Sequence, residues 1–202
     1  MILIIDYDMG NIGSIKNMLH KIGCNDVIIS NNPERIQEAD KLILPGVGAF
    51  DRGVKNLKEL GIFDEIKEVS LNNKKPIMGI CLGMQLLGRK SEEGLLEGLN
   101  LIPFDSVRFR LSDEYKVPHM GWNDVIVCKK DAIIDESMIN QRFYFVHSYH
   151  AVCDNQQDIL MKCQYGYEFA AAVSKDNVYG FQFHPEKSHR FGMELFRKFV
   201  EI

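Results

Sequence analysis

Cys81 stands in the run Gly79-Ile80-Cys81-Leu82-Gly83. A thiol with glycine two residues to either side, after an apolar run and before a helical one, fits the sharp strand-to-helix turn that pushes a nucleophile out at a sheet edge. The glycines let that turn pass close to neighbouring backbone. The helix start beside the sulfur favours thiolate, and the amide of Leu82 is placed to donate to an oxyanion. Alone, the pattern fits a small buried cysteine equally well.

His184-Pro185-Glu186 supplies the groups a thiol nucleophile needs. If the strand Val178–Phe183 continues, residues 184 and 186 share a face. Glu186 then holds and charge-stabilises His184, and His184 takes the Cys81 proton. Pro185 fixes the intervening backbone. By itself the pair also fits a strand-end surface or part of a metal site. A third run, Pro45-Gly46-Val47-Gly48-Ala49-Phe50, carries two glycines that let a loop turn its amides inward. It lacks the Lys and Ser/Thr of a phosphate loop. An oxyanion hole for acyl transfer is the better reading, beside the plain alternative of a Gly-rich turn.

These runs need a scaffold, and the first half of the chain provides one. Ile2–Ile5, Val27–Ser30, Lys41–Leu44 and Pro76–Ile80 read as short buried strands. Asn11–Ile22, Pro33–Ala39, Val54–Leu60 and Ile62–Leu71 read as the helices between them. That alternation predicts a parallel sheet covered on both faces. From about Ser106 strand-like runs follow one another: Ser106–Arg110, Asp124–Cys128, Phe143–Val146, Ala151–Asp154, Ile159–Cys163, Phe169–Val173 and Val178–Phe183. A closing helix covers about Ser188–Val200. The expectation is one α/β domain over residues 1–202, a central, mostly parallel mixed sheet flanked by helices.

Composition agrees. The chain has 202 residues, 46% hydrophobic and 26% charged, with a net charge of -4, within the ~100–200 residues of one domain. No basic excess points to nucleic acid or an anionic membrane. The apolar N-terminal run is too short for a signal peptide, and no stretch reaches the ~18 residues of a membrane span. Five cysteines without CxxC spacing argue against disulfides or structural zinc and fit a reducing cytoplasm. No metal and no cofactor is expected.

Taken together, Pro45–Phe50, Gly79–Leu87 and Gln182–Ser188 resemble the class I (triad) glutamine amidotransferases. Asp6-Tyr7 with Gly10-Asn11, Pro118–Asn123, Phe145–Tyr149 and Tyr167-Glu168-Phe169 narrow the resemblance to the glutaminase subunits of imidazole glycerol phosphate synthases. It covers nearly the whole chain. The resemblance implies that Cys81 forms a glutamyl thioester, that His184 and Glu186 complete the triad, and that backbone of Val47 or Gly48 with Leu82 forms the oxyanion hole. It further implies that Gln85, Ser148 and Tyr149 hold glutamine, and that ammonia passes to a (β/α)8-barrel cyclase partner. That partner makes imidazole glycerol phosphate and aminoimidazole carboxamide ribotide in histidine biosynthesis. Trp122, Tyr144 and Lys187 would face the partner, or be core aromatics and a solvated lysine. Asp8 stands where the family usually has Gly, which suits a positive φ that Asp tolerates. The tail His184–Gly192 also resembles a sister branch that amidates a surface-polysaccharide sugar. The remaining alternatives are a stand-alone Cys–His γ-glutamyl hydrolase and a catalytically dead regulatory or binding module on the same fold, the latter opposed by the intact Cys81, His184 and Glu186 set.

Overall fold

Twelve strands share one mixed sheet in the computed structural model, which describes residues 1–135, 138 and 141–202. They are β1 (Ile2–Ile5), β2 (Val27–Ser30), β3 (Lys41–Leu44), β4 (Ile77–Ile80), β5 (Lys90–Ser91), β6 (Phe104–Arg108), β7 (His119–Val127), β8 (Arg142–His147), β9 (Tyr149–Cys153), β10 (Ile159–Tyr165), β11 (Tyr167–Lys175) and β12 (Val178–Phe181). The order β2-β1-β3-β4-β12 is parallel throughout. Beyond β12 the sheet continues antiparallel through β11, β10, β7 and β8, with β9, β6 and β5 branching from β11.

Helices cover both faces of the parallel half: α1 (Ile12–Lys21), α2 (Pro33–Glu38), α3 (Phe50–Glu59), α4 (Phe63–Leu71), α5 (Leu82–Leu87) and α6 (His189–Glu201). Strand alternation sorts the side chains into two cores. Leu3 and Ile5 of β1 pack with Val54, Leu57 and Ile66 of α3 and α4. Ile2 and Ile4 pack on the opposite face with Ile15 and Leu19 of α1 and Leu195, Phe196 and Phe199 of α6. Burial on both faces is why these strands read as unbroken apolar runs. Among the described residues no helix is long and apolar enough to cross a membrane.

Of the boundaries that differ from the sequence-based expectation, three bear on the site. The helix expected at Val54 begins at Phe50, whose amide donates to Glu93 Oε2 at 2.9 Å. That cap comes from a loop 43 residues away, beyond local signals. The strand expected from Asp124 starts at His119, because its exposed side is apolar and its inward side polar at the start. The strand expected to run to Phe183 stops at Phe181, and Pro185–Lys187 forms a 3-10 turn.

Candidate active site

Cys81 sits between β4 and α5 with φ 53 and ψ -107. A side chain held in that region costs about 1–3 kcal/mol of backbone strain, which the surrounding packing must over-determine. It does: the Cys81 amide donates to the Phe181 carbonyl at 2.7 Å, tying the turn to β12. A Cβ on Gly79 would lie 2.7 Å from the Gly83 carbonyl oxygen, so the turn closes onto itself only without one. The expected elbow is present, with Cys81 7% exposed at the carboxyl end of the parallel strands.

His184 and Glu186 meet as expected, with Nδ1 and Oε1 2.8 Å apart and both side chains almost fully buried. The physical reason differs from the sequence argument. His184 lies beyond β12 and opens the 3-10 turn, which folds Glu186 back under the ring. The His184 amide donates to the Tyr144 carbonyl at 2.9 Å, and Ser188 Oγ donates to the His184 carbonyl at 2.6 Å. Nε2 is buried, with no hydrogen-bond partner among the described residues. Burial pushes this imidazole towards neutrality, but negative charge on the Cys81 sulfur and the Glu186 carboxylate outweigh burial and raise its basicity.

That shift has a stability consequence. A raised histidine contributes stability that is fully present below its unfolded value and is lost as pH rises through the folded one. Glu186→Gln removes one of the two groups that raise it. The variant is therefore expected to lose about 2 kcal/mol near pH 6. The gap to the parent protein should close into the alkaline range. Urea unfolding across pH checks this, and a gap independent of pH would refute it.

A cleft of about 320 Å3 opens over the sulfur, lined by Val47, Gly48, Leu82, Gln85, Ser148 and Tyr149 among others. All the residues expected for the oxyanion hole and for glutamine therefore share one cavity with Cys81. Gly48 has φ +118, which favours glycine there. The Leu82 amide donates to the Gly46 carbonyl at 3.3 Å, so it must leave that long bond to serve an oxyanion. Asp8, in the preceding loop, has the positive φ of 62 that its substitution for Gly requires.

Sequence reasoning missed several cleft residues. Glu93 lines it, as does His147, whose Nδ1 is 2.7 Å from the Tyr149 carbonyl. Burial pushes His147 down to about 3 and its neighbour His119 to about 4, so both stay neutral; their rings are 3.1 Å apart at Nε2 and Nδ1. The Cys81 thiol donates to the Val146 carbonyl at 3.8 Å, and Gln182 Nε2 donates to the sulfur at 3.8 Å. The contacts to the sulfur are far from local, 65 and 101 residues apart in sequence. The other thiols are elsewhere; burial pushes Cys153 and Cys163 up to about 12.

Trp122, Tyr144 and Lys187 also converge. Trp122 and Tyr144 are register partners on β7 and β8, with ring centroids 6.2 Å apart, and Lys187 Nζ lies 5.8 Å over the Tyr144 ring. Trp122 stacks on His189 at 5.5 Å and remains 41% exposed; Met120 beside it is 62% exposed.

Comparison with known proteins places this geometry. A family model described as "Glutamine amidotransferase class-I" matches residues 3–202. "Imidazole glycerol phosphate synthase subunit HisH 2" of Methanococcus maripaludis is 56% identical over 201 residues, covering 100% of this chain and 99% of that protein. A protein of the same description from Pseudomonas aeruginosa is 52% identical, with both chains fully covered. Among solved structures, a glutamine amidotransferase superposes with TM-score 0.76 at 19% identity, covering 98% of this chain and 97% of that one. PurLQS from Thermotoga maritima gives TM-score 0.69 at 20% identity, over 99% and 97%. At that identity the solved structures speak for the fold.

Proposed function

The chain belongs to the class I glutamine amidotransferase family, and on that premise we propose that it is the glutaminase subunit of imidazole glycerol phosphate synthase, acting in the cytoplasm. The observation that carries the reading is the buried His184–Glu186 pair, 2.8 Å apart, backing a strained Cys81 at the floor of a cleft.

The chemistry follows from that placement. The Cys81 proton passes to His184 Nε2, and the sulfur attacks the carboxamide carbon of glutamine. The tetrahedral oxygen takes N–H donors from Leu82 and from the Val47–Gly48 loop. His184 returns the proton to the leaving nitrogen, which departs as ammonia and leaves a γ-glutamyl thioester. Water, deprotonated by His184, then releases glutamate. Gln85, Ser148 and Tyr149 position the amino-acid end, and Glu93 supplies a carboxylate suited to its ammonium group.

Free ammonia in neutral water is mostly ammonium, which is not nucleophilic, so a dry path preserves the reactive form. The exposed Met120–Trp122–Tyr144–Lys187 face supports docking of a (β/α)8-barrel partner that receives the ammonia. Exposed aromatic and methionine side chains on one strand pair are the composition of an interface core. Glutamate release measured with and without the barrel partner and its ribulosyl phosphate ligand tests this. The expected result is at least about a tenfold rise on adding both, since closing a site over its substrate commonly governs turnover. Full activity of the isolated chain would instead favour the stand-alone hydrolase.

A further inference from the structure

Gln182 is fully buried one residue beyond β12, where its own amide donates to the Ala171 carbonyl at 2.9 Å. Its Oε1 accepts from Gln85 Nε2 at 3.3 Å, and its Nε2 points at the Cys81 sulfur 3.8 Å away. The direction of this chain is fixed by backbone. Gln85 Nε2 also donates to the Tyr149 carbonyl at 3.4 Å, and a carbonyl only accepts. Gln85 must therefore present its NH2 group, Gln182 must answer with oxygen, and the Gln182 NH2 group is left for the sulfur.

We propose that Gln182 is a further catalytic residue, whose side-chain N–H holds the Cys81 sulfur whenever it carries negative charge. The resting thiol donates its hydrogen to the Val146 carbonyl at 3.8 Å. When the S–H bond breaks, the proton goes to His184 and the electron pair stays on sulfur. The Val146 carbonyl then faces an anion with nothing to accept, while the Gln182 donor becomes a charge-assisted hydrogen bond. The same donor serves a second time, when the thioester C–S bond breaks and the electron pair returns to sulfur. This role rests on the reading of Cys81 as nucleophile and requires nothing of the partner or the ammonia acceptor.

Alkylation of the full chain by iodoacetamide tests it, with modification at Cys81 followed by peptide mass spectrometry, since Cys128 is exposed and Cys24 partly so. Gln182→Glu replaces the donor by an acceptor of the same shape. Gln182→Met keeps the volume without any donor and serves if a buried carboxylate prevents folding. At about pH 7 alkylation of Cys81 is expected to slow about tenfold in either variant. The difference should narrow as pH rises, to within about twofold of the parent by about pH 10, because excess base removes a thiol proton without help from a neighbouring donor. Unchanged rates at about pH 7 in a folded variant would overturn the proposal. So would an equal loss at both pH values, which marks a displaced sulfur rather than a lost donor. Glutaminase rates on the same preparations separate the two readings. A parent chain that fails to hydrolyse glutamine even with the partner subunit and its ligand added, yet shows the pH-dependent alkylation difference, sinks the function and leaves Gln182 as the holder of the sulfur.

Discussion

Cys81→Ser is expected to lower glutamine hydrolysis at least about a thousandfold, a loss of about 4 kcal/mol of transition-state stabilisation. The size of the effect follows from His184. The Glu186 carboxylate and negative charge on the Cys81 sulfur raise its basicity despite burial, so the imidazole takes up the thiol proton readily as charge develops on sulfur. A serine hydroxyl ionises far less readily than a thiol, so the same imidazole generates far less of the attacking anion. The fold should survive, because serine is smaller than cysteine and bears the same positive φ at the same cost. Binding of the proposed partner subunit should survive as well, since the sulfur lies in the cleft and not on the Trp122–Tyr144 face proposed for it. Glutamate release, a urea unfolding midpoint and co-purification are the three readouts. Residual activity above about a tenth of the parent rate would mean that Cys81 is not the nucleophile.

The elbow was legible because its demands are local: glycines at fixed offsets, an apolar strand before and a helix after. The pairing of Glu186 with His184 was legible as a contact but not as a geometry. The proline that suggested a fixed strand end instead starts a 3-10 turn. Gln182 and Val146 could not be read as neighbours of the sulfur, since they lie 101 and 65 residues from Cys81 and meet it through the β4–β12 pairing and the β8 edge. The start of β7 was hidden for a different reason. Met120, Trp122 and Ile126 point outwards while His119 points into the core, the reverse of the usual apolar-in pattern. A sheet face that is apolar outside reads as strand-like only once a covering surface is supposed, and within one chain nothing supplies it. The same reversal leaves Met120 and Trp122 exposed, the feature on which the proposed docking of a partner rests.

Gly83→Ala tests how tightly the two loops of the cleft are coupled. A Cβ there would lie 1.9 Å from the Leu44 carbonyl oxygen, 2.8 Å from its carbon and 3.1 Å from the Pro45 carbonyl oxygen. These are backbone atoms at the end of β3 and the start of the loop that carries Val47 and Gly48, so no side chain can rotate away. The start of α5 must move off β3 by roughly 1 Å, breaking close packing on both sides, at an expected cost of at least about 3 kcal/mol. That is a large share of the ~5–15 kcal/mol available to a domain. The same displacement separates the Leu82 amide from the Val47–Gly48 loop, so the folded fraction should also hydrolyse glutamine about a hundredfold more slowly. Gly13→Ala is the control: it adds the same methyl group in α1, where no described atom outside its own helix backbone and chain neighbours lies within 4 Å, and should change stability by no more than about 1 kcal/mol in the favourable direction. If urea unfolding gave the two variants equal stability, the close approach of the elbow to β3 would be wrong, and with it the coupling of the nucleophile's turn to the oxyanion loop.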